Sequence, residues 1–353
     1  MKLILFLTVA GFCGLALCQQ DDTYFWLSYL RSYWLGYSRF ADPSPQRAQG
    51  RDCPLECDCP PNFPIAMYCD SRKLKHVPFV PSRMKYAYLQ NNRITFIQEG
   101  VFDNATGLVW IMLHRNQLTD EKIGKNVFAK IINLERLYLD QNNLTVIPSP
   151  LPSSLKDLRL SNNKIAKIPT NAFEGMENLT SLILNNNQIE DIGGSLKGLQ
   201  SLTLLDLSNN YLKKLPEQLP GQLHQLYLEF NSINTIPNEY FRKLPKLQYA
   251  RLSNNKLTDE GVPSNAFNVS SLIELDLSYN KLQKIPLVNS NLENLYLHAN
   301  QIKEFSLGSF CKVVDIMNFS HLRVLRLDGN SIPLSALPPE TALCLRLASV
   351  IDL

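Results

Sequence analysis

At 353 residues the chain can form one large domain or two ordinary ones. A formal charge of +3 and a charged fraction of 19% give no argument for nucleic acid as a partner. Eight cysteines, six once a leader carrying Cys13 and Cys18 is removed, favour disulfides in an oxidising route over thiol chemistry.

Lys2 precedes an apolar run from Leu3 to Leu17, and Ala16 and Cys18 fit the small-residue rule for cleavage before Gln19. Residues 1–18 are therefore expected to be a secretory signal peptide. No later stretch approaches the eighteen apolar residues of a membrane span, so the mature protein is expected to be secreted and soluble, with no membrane association. Residues 19–52 are rich in Tyr and Trp (Tyr24, Trp26, Tyr29, Tyr33, Trp34, Tyr37) without a repeat pattern, and are expected to be flexible.

Residues 53–83 carry Cys53, Cys57, Cys59 and Cys69 in the spacing C-x3-C-x-C-x9-C. Secretion, the close C-x-C spacing and the lack of a neighbouring His other than His76 weigh against a zinc site. The spacing alone leaves several disulfide connectivities open.

From residue 84 to 332 one template, L-x-x-L-x-L-x-x-N-x-L, recurs in eleven segments. Its Asn positions are Asn92, Asn116, Asn142, Asn163, Asn187, Asn210, Asn231, Asn255, Asn280, Asn300 and Asn330. A degenerate twelfth copy, Met67 to Leu74, has Arg72 in place of Asn and Cys69 in place of a core Leu. The L-x-L step alternates inward and outward side chains along a short strand. An Asn amide in the following bend can satisfy backbone groups that a Leu would leave unpaired. One coil cannot bury its apolar face alone, so stacked coils are expected to form an α/β solenoid: an arc with a parallel sheet on its concave face and irregular or short helical crossings behind. Short coils carry Pro-rich crossings such as Ile147 to Pro152 and Leu215 to Pro220, which favour extended geometry. Long coils carry Phe173 or Phe267, expected in the convex core.

Five N-glycosylation sequons begin at Asn104, Asn143, Asn178, Asn268 and Asn318. Four are expected one to four residues before a strand and Asn143 just after one, placing all five on the rims. Cys311 and Cys344 flank the last repeat, where the Asn spacing widens to 30 residues, and imply an enlarged loop. Both groups of cysteines sit where an open solenoid end would expose core and unpaired strand edges.

The cysteine cap, the short-long-long pattern of coils and the terminal Cys311 to Cys344 loop resemble the class II small leucine-rich proteoglycans. Segments carrying the match include Arg51 to Pro54, Asp58 to Pro64, Ile97 to Leu108 and Leu345 to Ser349, with similarity from about residue 51 to the end. The resemblance implies pairing of Cys53 with Cys59, Cys57 with Cys69 and Cys311 with Cys344. It also implies an extracellular-matrix protein that binds fibrillar collagen, types I and II, regulates fibril assembly and thickness, and carries keratan sulfate or other N-glycans. Sequestration of a growth factor such as transforming growth factor beta is the second function it implies. Members of the family have a tyrosine-sulfated tail, which points to Tyr24 beside Asp21 and Asp22, and then to Tyr29, Tyr33 and Tyr37. One correspondence fails: where members have a Glu-x-Lys pair associated with collagen contact, this chain has Ser331-Ile332-Pro333.

Candidate contact residues, read as outward strand positions, are Glu135, Arg136, Tyr138, Asp157, Arg159, Tyr227, Glu229, Arg251, Glu274, Asp276, Glu293, Tyr296, His298, Arg323 and Arg326. This mixture of charge and Tyr suits a grooved, polar partner such as a triple helix. No enzyme and no cofactor is expected, because no nucleophile, base or metal cluster converges. The five histidines fall on separate coils, and His114, His224 and His298 are expected to be solvated.

Overall fold

The computed structural model describes residues 52–333, 335 and 337–353. The signal, the Tyr-rich segment with Tyr24, Tyr29, Tyr33 and Tyr37, and Arg51 lie outside the described residues.

Three residues of each coil form a strand: β1 Ala66–Tyr68, β2 Tyr86–Tyr88, β3 Trp110–Met112, β4 Arg136–Tyr138, β5 Asp157–Arg159, β6 Ser181–Ile183, β7 Leu204–Asp206, β8 Gln225–Tyr227, β9 Tyr249–Arg251, β10 Glu274–Asp276, β11 Asn294–Tyr296, β12 Val324–Arg326 and β13 Val350–Asp352. They make one 13-stranded sheet in strict chain order. Every pairing is parallel and centre to centre, from Met67 against Ala87 to Leu325 against Ile351. The central residue of each strand from β1 to β12 is buried and its two neighbours face the concave side, as the two-residue period requires. Coil length varies without disturbing this register, so the extra residues are taken up behind the sheet.

The ladder Asn residues hold the coils together. Asn187 Oδ1 accepts from Ile165 N at 3.0 Å, and its Nδ2 donates to Leu160 O and Leu184 O, both at 3.0 Å. Leu160 O also accepts from Asn163, and Leu184 O from Asn210. Each such carbonyl is thus shared by two successive asparagines, and the pattern recurs from Asn92 to Asn330. The residue before each ladder Asn adopts a left-handed conformation, including the bulky Phe230 (φ 54°) and Tyr279 (φ 53°). That conformation is costly for such residues, and the hydrogen bonds of the Asn on its C-terminal side hold the bend in place.

The crossings behind the sheet are mostly irregular, with short 3-10 turns at Asp120–Lys122, Phe241–Lys243, Asp259–Gly261 and Leu307–Ser309. Phe102, Phe128, Phe173, Phe241 and Phe267 are fully buried there, with Phe102 against Phe128 and Phe241 against Phe267. Gly261 is required where its crossing meets the previous coil, because an added Cβ would collide with Asn234 O.

Disulfides close both ends. Cys53 is bonded to Cys59 and Cys57 to Cys69 ahead of β2, and an antiparallel bridge between Asp58 and Tyr68 folds the cap over the first strand. Cys311 is bonded to Cys344, the last residue of helix α1 (Thr341–Cys344). β13 follows α1 and adds a strand beyond the last template match. The template misses it because Val350-Ile351-Asp352 is not followed by the Asn bend.

Candidate functional site: the floor of the sheet

The outward positions of the strands form two columns, and the residues two positions beyond each strand form a third. Arg136, Tyr138, Asp157, Arg159, Tyr227, Arg251, Glu274, Asp276, Tyr296 and Arg326 lie in the strands. The other candidates do not, because the strands are only three residues long. Glu135, Glu293 and Arg323 precede β4, β11 and β12 by one residue and sit on the rim, while Glu229 and His298 lie in the third column.

The N-terminal part of the floor is aromatic. Tyr68 and Tyr88 stack with ring centroids 4.7 Å apart and planes 1° from parallel. Tyr88 meets Trp110 at 6.4 Å, and Trp110 meets Tyr138 edge-on at 5.4 Å. Arg136 lies over Trp110 at 5.1 Å and Arg159 over Tyr138 at 4.4 Å. Asp157 fixes both ends of the latter pair: it accepts from Tyr138 Oη at 2.7 Å and is paired with Arg159 Nη2 at 3.1 Å. Burial raises the Tyr138 phenol pKa, so it stays protonated and donating. Tyr68, Tyr88 and Trp110 are not among the sequence candidates, although the same two-residue period that selects Tyr138 places them on this face.

His114, in the third column, is not solvated as expected. Burial, and then the charges of Arg115 and Arg159, lower its pKa to about 4 and keep it neutral.

From β7 to β10 the floor becomes acidic. Arg251 donates from Nε to Glu274 Oε1 at 2.8 Å and lies over the Tyr227 ring at 4.9 Å. Asp206 and Asp276 each accept from the Ser two residues on, through both its N–H and its hydroxyl. Glu229 is raised to about 7 by burial, with Asp206 and Asp276 adding to the shift and Arg251 opposing it. Towards the C-terminal end Arg326 is paired with Asp328 at 2.8 Å and Asp352 at 3.5 Å, and Arg323 with Glu293 at 3.3 Å.

Of the sequon residues, Asn104, Asn178 and Asn318 are exposed, and Asn143 and Asn268 half-buried. Asn178 precedes β6 by three residues, but Asn104, Asn268 and Asn318 precede β3, β10 and β12 by six, further back along the crossing than expected. None lies on the floor. Asn178 lines a shallow rim cleft with Glu135, Lys156 and Ile132. Ser331 and Pro333 lie just beyond the bend after β12. Among the described residues no group of three or more His, Cys, Asp or Glu side chains could hold a metal ion, and no helix is long and apolar enough to cross a membrane.

A parallel sheet in chain order with an Asn-locked bend in each coil and a cysteine cap defines a capped leucine-rich-repeat protein. Comparison with known families agrees: residues 82–144 and 153–212 match "Leucine rich repeat", 52–82 "Leucine rich repeat N-terminal domain", and 221–316 "BspA type Leucine rich repeat region". A chain in the octameric complex of Latrophilin 3, Unc5D and FLRT2 (LRR) shares the fold with a TM-score of 0.66 and 26% identity, over 85% of this chain and 83% of that one. Fibromodulin of Homo sapiens is 57% identical over 98% of each chain, and lumican of Gallus gallus 52% identical over 85% of this chain and 88% of its own. The chain belongs to the fibromodulin branch of the class II small leucine-rich proteoglycans, a non-enzymatic family of the extracellular matrix.

Proposed function

We propose that this protein binds fibrillar collagen, types I and II, on the floor of its sheet and regulates the assembly and thickness of fibrils, with N-glycans or keratan sulfate carried on the rims. The observation that carries the reading is the floor itself: thirteen three-residue strands side by side, lined with Tyr, Arg and carboxylates, with the sequons kept off it. A rod-like partner made of extended chains needs a long open contact with ordered donors and acceptors more than a deep pocket. Arg159 and Arg251 are oriented by Asp157 and Glu274, which lowers the ordering cost of a contact.

The test is co-sedimentation with reconstituted collagen I fibrils and turbidity during fibril growth, using secreted protein before and after enzymatic deglycosylation. The expected result is binding in both forms and thinner fibrils. A disulfide-intact, deglycosylated array that neither sediments with collagen nor alters fibril diameter would reject the proposal.

A further inference from the structure

Resting on that reading, we infer that the aromatic strip of β1 to β4 is the subsite for an imino-acid-rich, uncharged stretch of triple helix, separate from the acidic floor of β7 to β10. Tyr68, Tyr88, Trp110 and Tyr138 form an unbroken series of ring contacts of 4.7, 6.4 and 5.4 Å across four adjacent strands. Three strand-to-strand steps of about 4.8 Å make a strip about 14 Å long. A polyproline-type chain rises about 3.1 Å per residue, so the strip accommodates roughly five residues lying across the strands.

The chemistry matches that occupant. Proline rings present apolar faces and their nitrogens donate no hydrogen bond, so aromatic surfaces recognise them by stacking, while the chain's outward carbonyls need donors. Arg159 supplies such a donor. Its Nε and Nη2 are held by Asp157 while the guanidinium lies over the buried Tyr138 ring, and the side chain is 41% exposed. Of the eight outward strand positions of β1 to β4 Arg136 alone is charged, and Arg159 beside them is paired with Asp157. By contrast, the outward acids Asp206, Glu229, Glu274 and Asp276 of β7 to β10 are met there by Arg251 alone, so an uncharged segment fits the first region and a basic one the second.

The test measures binding of the full glycosylated protein to three probes by surface plasmon resonance: a (Pro-Hyp-Gly)10 triple helix, the same sequence held single-stranded, and whole collagen I. The protein is expected to prefer the triple-helical peptide to the single strand. Trp110→Ala with Tyr88→Ala should lower its affinity for that peptide at least tenfold, Trp110→Phe should retain most of it, and Glu174→Gln, exposed on a crossing behind the sheet, should leave it unchanged. Unfolding midpoints and retained binding to whole collagen show that the double variant is folded. Binding to whole collagen with none to the peptide, or a peptide affinity unmoved in the double variant, would overturn the subsite and leave the wider reading standing. Loss of binding to all three probes by the unmodified protein would remove the wider reading.

Discussion

Asn187 shows how one residue type can hold a fold whose core is otherwise aliphatic. Its amide links two successive coils, accepting from Ile165 N and donating to Leu160 O in the coil before and donating to Leu184 O in its own. Asn187→Ala would leave Leu160 O and Leu184 O one donor each but strand the buried Ile165 N–H. An unsatisfied buried donor costs about 1–3 kcal/mol, so denaturant unfolding should show a loss of about 2 kcal/mol or more. Asn330→Ala, at a part-buried end of the ladder, should lose less. Glu229 acts in the opposite direction. Burial raises its pKa in the folded chain to about 7 from the ordinary 4.5, so between those values the folded state holds a proton the unfolded state has released. Its contribution is therefore most favourable below about pH 4.5, falls as pH rises to about 7, and stays unfavourable above that. Glu229→Gln should raise the unfolding midpoint at pH 8 and flatten the dependence of stability on pH between 4.5 and 7, as measured by urea titrations across that range.

At the level of elements, β13 depends on the terminal disulfide. It is the edge strand and all three of its residues are exposed, so it contributes little burial of its own. Cys311–Cys344 spans a sequence separation of 33 and ties α1, just before β13, to the loop ahead of β12. Replacing both cysteines by Ser should cost about 3 to 4 kcal/mol in the chain-entropy picture. Amide exchange should rise first in β12 and β13, while the strands from β4 to β8 keep their protection. A uniform rise along the whole sheet would show instead that the end is not an independent unit. Strand existence was legible in the sequence wherever L-x-L preceded an Asn bend, because period and bend chemistry agreed. β13 has the strand without the bend, and was not legible for that reason.

Across the whole molecule, what a one-dimensional pattern can show is the inside: the central strand residues and the ladder Asn follow from burial alone. The floor is harder to read, because its properties arise between coils. Arg159 looks like a solitary cation in the sequence, yet in the fold it lies on Tyr138, 21 residues earlier, and pairs with Asp157 two residues away. His114 reads as a surface residue until the fold buries it and brings Arg159 near. The left-handed Phe230 and Tyr279 escape notice for a related reason, since nothing in an aromatic residue announces that conformation.

The unbroken centre-to-centre register has one further effect. Because coils of 20 and 30 residues contribute equal strands, the floor behaves as a graduated scale whose divisions are one strand wide, about 4.8 Å, whatever happens behind it. An insertion in a crossing changes the back of the molecule and leaves the divisions where they were. Chemical groups on a rod lying along the floor are thus met at multiples of a fixed length, and changing which divisions carry rings and which carry charge would retune the preferred segment without altering the scale.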